Sequence, residues 1–319
     1  MGTARHAGNG NAAHRATPPS ALTPEEAQAA VVIEKPVPAS PAGAPAVAGD
    51  RKPSVQSEFA LAGQSKPTVD QQPPVAKKAI QDVLIAEGLL AVKLSVDCQS
   101  VDQLHEALVK NLGQNSMETR RRYAQSIARW FFPDGIDGLL RRVWVTYQDD
   151  AILTDLLRWS FLAQEEIMGA SVSDALFPLQ NGITIPATYF DRFLTDLFGE
   201  APPEKTRQKL KINLKKLGFL ERAKGKPDRL TPVVPQKTSF LILLHHLFAA
   251  KAVRTVELRH MFANPFWKFL GYKSEDAVRN VLREVDADGA VGKYIVADQL
   301  EQVTTCFKLD ELLERRVRI

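Results

Sequence analysis

Between Pro203 and Val234 a lysine-studded segment, PEKTRQKLKINLKKLG, runs into GFLERA, a charged turn KGKPD and then RLTPVV. The order is helix, strand, basic turn, strand, as in the second half of a winged helix-turn-helix. Ten cationic side chains (Lys205, Arg207, Lys209, Lys211, Lys215, Lys216, Arg222, Lys224, Lys226 and Arg229) stand against Glu204, Glu221 and Asp228, leaving +7 in a chain whose total is +4. Cationic charge concentrated on one short element is the footprint of a phosphate-contacting surface.

The periodicity sorts these residues into faces. Leu210, Leu214 and Leu217 recur at i, i+4 and i+7 and are expected to face the core, which turns Lys205, Gln208, Lys209, Lys215 and Lys216 to the opposite half of the helix. Ile212 also falls outward, among the lysines, a feature that suits docking to a protein. Gly218 is expected to end the helix, Phe219 to enter the core, and the turn to carry Lys224 and Lys226 past the fold as a wing. Upstream, GITIPATYFDRFLTDLFG predicts a short strand at Ile183 and Ile185. A supporting helix follows, with Pro186 in its first turn, Tyr189, Phe190, Phe193, Leu194 and Leu197 inward, and Gly199 at its end. Pro202 and Pro203 then make a rigid turn between the two helices.

The rest of the 319 residues divides unevenly around this module. Residues 1–75 are dominated by Ala, Pro, Gly, Ser and Gln, with Phe59 the single aromatic side chain, and predict a disordered tail that cannot bury enough surface to offset backbone ordering. Residues 76–180 predict a helical bundle, 181–236 the winged helix-turn-helix, and 237–319 a C-terminal helical, winged-helix-like unit. The fold class expected is therefore mostly α.

In the bundle, AKKAIQDVLIAEGLL is expected to start as a helix and end near Gly88. VDQLHEALVKNLG puts Val101, Leu104, Leu108 and Leu112 on one face and closes at Gly113; Asn115 is expected to cap the next helix, with Glu118 answering it. In METRRRYAQSIARWFF, Tyr123, Ile127, Trp130 and Phe131 form the buried stripe and Arg120, Arg121, Arg122 and Arg129 the exterior. Those arginines read either as a second phosphate contact or as a solvated face. In the C-terminal unit Ser274 caps EDAVRNVLREVDADG, two strands follow in AVGKYIVA and EQVTTCFK, and LDELLERR closes the chain as a short helix. The acidic balance of that capped helix argues against phosphate contact.

No catalytic pattern emerges. A glycine-rich phosphate loop, a G-x-S-x-G elbow and a paired-histidine metal motif are all missing from the sequence, and beyond Asp50 and Lys52 in the tail no acid is followed two residues later by Lys, as a metal-dependent nuclease would need. His245 and His246 are adjacent and point about 100° apart on a helix. Cys98 and Cys306 are far apart, without metal-ligand spacing. The apolar run Ser239–Ala250 is too short to span a bilayer and reads as a buried helix, and the first thirty residues lack the continuous apolar core of a secretory signal. A non-enzymatic, cytoplasmic protein is expected, with no catalytic residue, cofactor, metal, membrane or small-molecule substrate.

From Val101 to Ile319 the chain resembles the BrxA family of bacterial BREX phage-defence systems. The resemblance is carried by NSMETRRRYAQSIARWFF, YFDRFLTDLF and EKTRQKLKINLKKLGFLERAKGKPDRLTPVVP. It implies a small, mostly helical, non-enzymatic DNA-binding accessory protein with a helical N-terminal domain and a winged helix, partnered by double-stranded DNA and by other defence-system proteins. Its phosphate-facing positions would be Arg120, Arg121, Arg122, Lys205, Lys209, Lys215, Lys216, Lys224 and Lys226. The long tail and the extended C-terminal unit depart from the family pattern. Two other readings stand beside it: a winged-helix transcription regulator, which needs a palindromic site and a dimer, and an interaction scaffold within a defence complex that docks protein through Ile212 and its neighbours.

Overall fold

The computed structural model describes residues 80–222, 225–297 and 300–319, so the tail expected over residues 1–75 lies outside the described residues. Five helices open the described part: α1 (Ile85–Ser95), α2 (Val101–Asn111), α3 (Met117–Phe131), α4 (Leu139–Tyr147) and α5 (Asp150–Gln164). α5 is apolar over most of its circumference, burying Ile152, Leu153, Leu156, Leu157, Phe161 and Leu162, and so α1, α3 and α4 all pack around it. Asp149 starts it by accepting the Ala151 and Ile152 amides, at 2.9 and 3.2 Å. Trp130 of α3 meets Phe161 edge to face at 4.9 Å.

The sequence reading misplaces several helix ends, each for a local reason. Helix α1 does not stop near Gly88 but contains it in its first turn. A Cβ there would lie 2.6 Å from Cε2 of Phe131, so glycine at this position makes room for the α3 aromatic ring. The cap of α3 is Ser116, not Asn115, with the Ser116 hydroxyl accepting the Thr119 amide at 3.1 Å. Helix α2 ends at Asn111 before reaching Gly113, because Leu112 turns extended to bury its side chain.

After α6 (Glu166–Ala170) and a π-helical stretch, Ser171–Leu176, comes a compact sequence of short elements: β1 (Thr184–Ile185), α7 (Tyr189–Phe198), α8 (Glu204–Lys216), β2 (Leu220–Glu221) and β3 (Asp228–Leu230). The three strands are antiparallel in the order β1-β3-β2, with Thr184 opposite Arg229 and Leu220 opposite Leu230. Pro186 lies in the turn before α7, not inside it; the Tyr189 amide donates back to the Pro186 carbonyl at 3.1 Å. Phe190 and Leu194 are fully buried, and Gly199 (φ +72°) and Gly218 (φ +84°) end α7 and α8 in left-handed conformations.

The same order then repeats. Behind α9 (Lys237–Phe248) follow β4 (Thr255–Glu257), α10 (Leu258–Ala263), α11 (Phe266–Leu270), α12 (Glu275–Ala287), β5 (Lys293–Ala297) and β6 (Leu300–Thr304), with strand order β4-β6-β5, before α13 (Leu309–Glu314). In both units the first strand pairs with the last, which pairs with the middle one. The buried side chains of the helical part and of both units form one continuous hydrophobic cluster. α9 is its densest contributor: Phe240, Leu241, Ile242, Leu243 and Leu244 are all inaccessible to solvent. Among the described residues no helix is long and apolar enough to cross a membrane.

Candidate nucleic-acid interface

Helix α8 is anchored before any ligand is considered. Asn213, fully buried, accepts the Val83 amide through Oδ1 at 3.0 Å and donates Nδ2 to the Gln81 carbonyl at 2.6 Å, so its side chain pairs with the strap of residues 80–84 as a neighbouring strand would. At the far end Arg158 of α5 donates Nε to the Leu217 carbonyl at 2.9 Å, and its Nη1 lies 2.8 Å from Oδ1 of Asp155, itself almost fully buried. A loose carbonyl at the helix C-terminus is thereby satisfied by a charged donor.

The inner stripe of α8 is as the periodicity predicts, with Leu210, Leu214 and Leu217 buried. The exposed crest is narrower than the charge count suggests: Lys205, Gln208, Ile212 and Lys216, one residue per turn. Lys205 and Lys216 have no ion-pair partner among the described residues, and Gln208 donates to Glu204 one turn back at 2.7 Å. The flanking cations are engaged. Lys209 lies 3.8 Å from Asp82, Arg207 3.0 Å from Asp191, and Lys215 2.8 Å from the nearly buried Asp228, while Lys211 donates to the Ala187 carbonyl. Lys215 is therefore held by the fold, and Lys209 is shared with the strap.

The hairpin supplies what the crest lacks. Lys226 is exposed, and Arg222 closes the turn by donating Nε to the Lys226 carbonyl at 3.1 Å while its side chain remains exposed. Lys224 lies outside the described residues. Arg229, across the sheet, donates to the Gly182 carbonyl and stands 3.9 Å from Glu221, an exposed pair of small energetic weight. Arg222 and Arg229 were absent from the candidates drawn from the sequence, although both add to its charge excess. Alternation along β3, with Asp228 and Leu230 inward, could have found Arg229; Arg222 lies just past β2, where alternation from the buried Leu220 would have turned it inward.

The three arginines of α3 separate. Arg120 is turned inward, donating Nη1 to the Val109 carbonyl near the end of α2 at 3.1 Å, with its Nε buried and without a hydrogen-bond partner. Arg121 and Arg122 are exposed. Arg122 shares a cleft of about 620 Å³ with Arg129 of the same helix and Lys209 of α8, so the fold brings one residue of the α3 group against one of the α8 group. Arg129 is exposed, as expected, and pairs there with Glu165, which also accepts the Trp130 indole N–H at 2.7 Å.

His245 and His246 take no part. His245 is buried, with Nδ1 donating to the Leu241 carbonyl at 2.8 Å, and His246 meets Trp159 edge to face. Among the described residues no group of three or more His, Cys, Asp or Glu side chains could hold a metal ion. Compared with family models, with curated proteins and with solved structures, the chain matches none.

Proposed function

We propose that β1 to β3 form a winged helix whose α8 crest and hairpin contact the sugar-phosphate backbone of duplex DNA, and that the chain acts as a non-enzymatic DNA-binding accessory protein. The observation that carries this reading is the coincidence of exposure and uncompensated charge. Lys205 and Lys216 on the crest and Arg222 and Lys226 on the hairpin are all exposed and have no ion-pair partner among the described residues. Phosphate contacts of this kind fix register without reading bases, so little sequence preference is expected. Membership of a BREX-like phage-defence system is part of the proposal and rests on the resemblance of residues 101–319 to the BrxA family alone.

With about four phosphate contacts, affinity for any duplex should fall about 100-fold between roughly 50 and 200 mM salt. The double variant Lys205→Glu, Lys216→Glu should weaken binding to all sequences alike and reduce the salt slope by about 2. Fluorescence anisotropy over a salt series checks both. Binding that ignores salt, or that survives the double reversal, refutes the proposal.

One observation favours a second reading, protein docking. Ile212 sits at the centre of the crest with 45% of its surface exposed, where a phosphate contact would want a polar side chain. Co-purification of a protein partner that persists in high salt and nuclease but is lost on Ile212→Asp would favour it. The transcription-regulator reading needs a dimer and a palindromic site, and a monomer in solution would count against it.

A further inference from the structure

The cleft between α3, α8 and the strap carries a chemistry that backbone contact alone does not use. Its walls bring together three cations, Arg122, Arg129 and Lys209, and three carboxylates, Asp82, Glu165 and Glu166, around the half-buried ring of Tyr123. At about 620 Å³ it matches the size of a small-molecule site, roughly 300–1,000 Å³. A bare run of phosphates would meet three negative charges there. A single nucleotide brings one phosphate for the cations, a ring that can lie on an aromatic face, and a base amino group that can donate to a carboxylate.

The details fit such an occupant. The exposed Arg122 guanidinium lies over the Tyr123 ring, 5.9 Å from its centre and at the reach of a cation–π contact, so its planar group, backed by the ring, offers a face on which a base can stack. Lys209 stands 3.8 Å from Asp82, long for an ion pair, and both side chains remain partly exposed, so each can exchange its partner for a ligand group. Glu165 is oriented by Trp130 and Arg129, and Ser126 and Arg129 are steadied by the Gln81 side chain, at 3.0 and 3.4 Å. We propose that the cleft binds one unpaired nucleotide with an amino-bearing base, supplied by a strand end leaving the duplex. Lys209 flanks both the cleft and the α8 crest, which sets the two sites side by side. The source of the nucleotide rests on the duplex-binding reading above; the cleft chemistry does not.

The test uses the full chain and four labelled probes: a blunt duplex, the same duplex with a three-nucleotide deoxyadenosine overhang, the same with a thymidine overhang, and a free oligodeoxyadenylate. The deoxyadenosine overhang should raise affinity about 10-fold over the blunt duplex, and the thymidine overhang, which has no amino group, distinctly less. Tyr123→Leu and Glu166→Ala should each remove most of that gain and leave blunt-duplex affinity unchanged; Glu166 is exposed, so its variant does not depend on how well Tyr123→Leu folds. Equal affinity for all three duplexes, or a gain that survives both variants, overturns the proposal. Oligodeoxyadenylate binding that both variants abolish, with no duplex bound, would sink the duplex reading and uphold the cleft. No binding to any probe sinks both.

Discussion

At the residue scale, the buried polar side chains show most directly how this sequence is constrained. Asn213 sits among leucines on the inner face of α8, where an apolar residue would suit the helical stripe, and is there because two backbone groups of the strap need partners. Asn213→Leu leaves the Val83 N–H buried and unpaired and takes a partner from the part-buried Gln81 carbonyl, and should cost about 1–3 kcal/mol, read from chemical denaturation. His245 is the opposite case. Its Nε2 is buried without a hydrogen-bond partner, and burial lowers the pKa of the ring from its usual value, more than the Leu241 carbonyl restores. The folded state therefore holds the ring neutral while the unfolded chain protonates near pH 6.5. The unfolded state binds more protons below that pH, so this contribution to stability is complete above about pH 6.5 and declines as the pH falls further. His245→Leu should be neutral to slightly stabilising at pH 7 and should flatten the acid limb of stability against pH. The limb should not vanish, because burial lowers the His246 pKa as well.

At the scale of elements, α8 is held by α5 as well as by the strap. Arg158 and Asp155 form a nearly buried pair, with side chains 11% and 7% exposed, that joins the Leu217 carbonyl to the Gln236 amide, which Asp155 accepts at 2.7 Å. Asp155→Ala leaves the Arg158 charge buried and unpaired, with an expected loss of about 3–5 kcal/mol. The loss should appear as a lowered denaturation midpoint. Arg158→Met, Asp155→Leu together should cost less than Asp155→Ala alone, because no charge is stranded. Most of these elements were legible in the sequence: the leucine stripe of α8, the acidic first turn of α12 and the apolar run of α9 all follow from spacing. The Asp155–Arg158 clamp was not, since an acid and an arginine three apart on a helix are ordinary, and only burial gives them their role. The helix ends near Gly88, Gly113 and Pro186 were misjudged because a glycine or proline signals a break equally well whether it ends a helix, admits a neighbouring ring or shapes a loop.

At the scale of the whole molecule, the described residues share one core, with the C-terminal segment closing on the helical part through Tyr147, whose hydroxyl donates to the Val317 carbonyl at 2.9 Å while its own carbonyl accepts Arg318 at 2.8 Å. A single cooperative unfolding transition is expected over residues 80–319, coincident by circular dichroism and tryptophan fluorescence; two resolved transitions would mean that the units fold separately. The two sheet units repeat one topology with different surfaces. The crest of α8 presents unpaired lysines, whereas Arg279 of α12 is enclosed by Glu275, Asp276 and Glu301 at 2.9–3.0 Å. The sequence by itself determined that this chain is mostly helical, which faces of its helices turn inward, and that its positive charge gathers between residues 203 and 234, because periodicity and composition are local properties. Which of those charges remain available was decided only by the tertiary structure. Asp82, Asp191 and Asp228 reach Lys209, Arg207 and Lys215 across the fold, and a charge is neutralised by whatever lies near it in space, not along the chain.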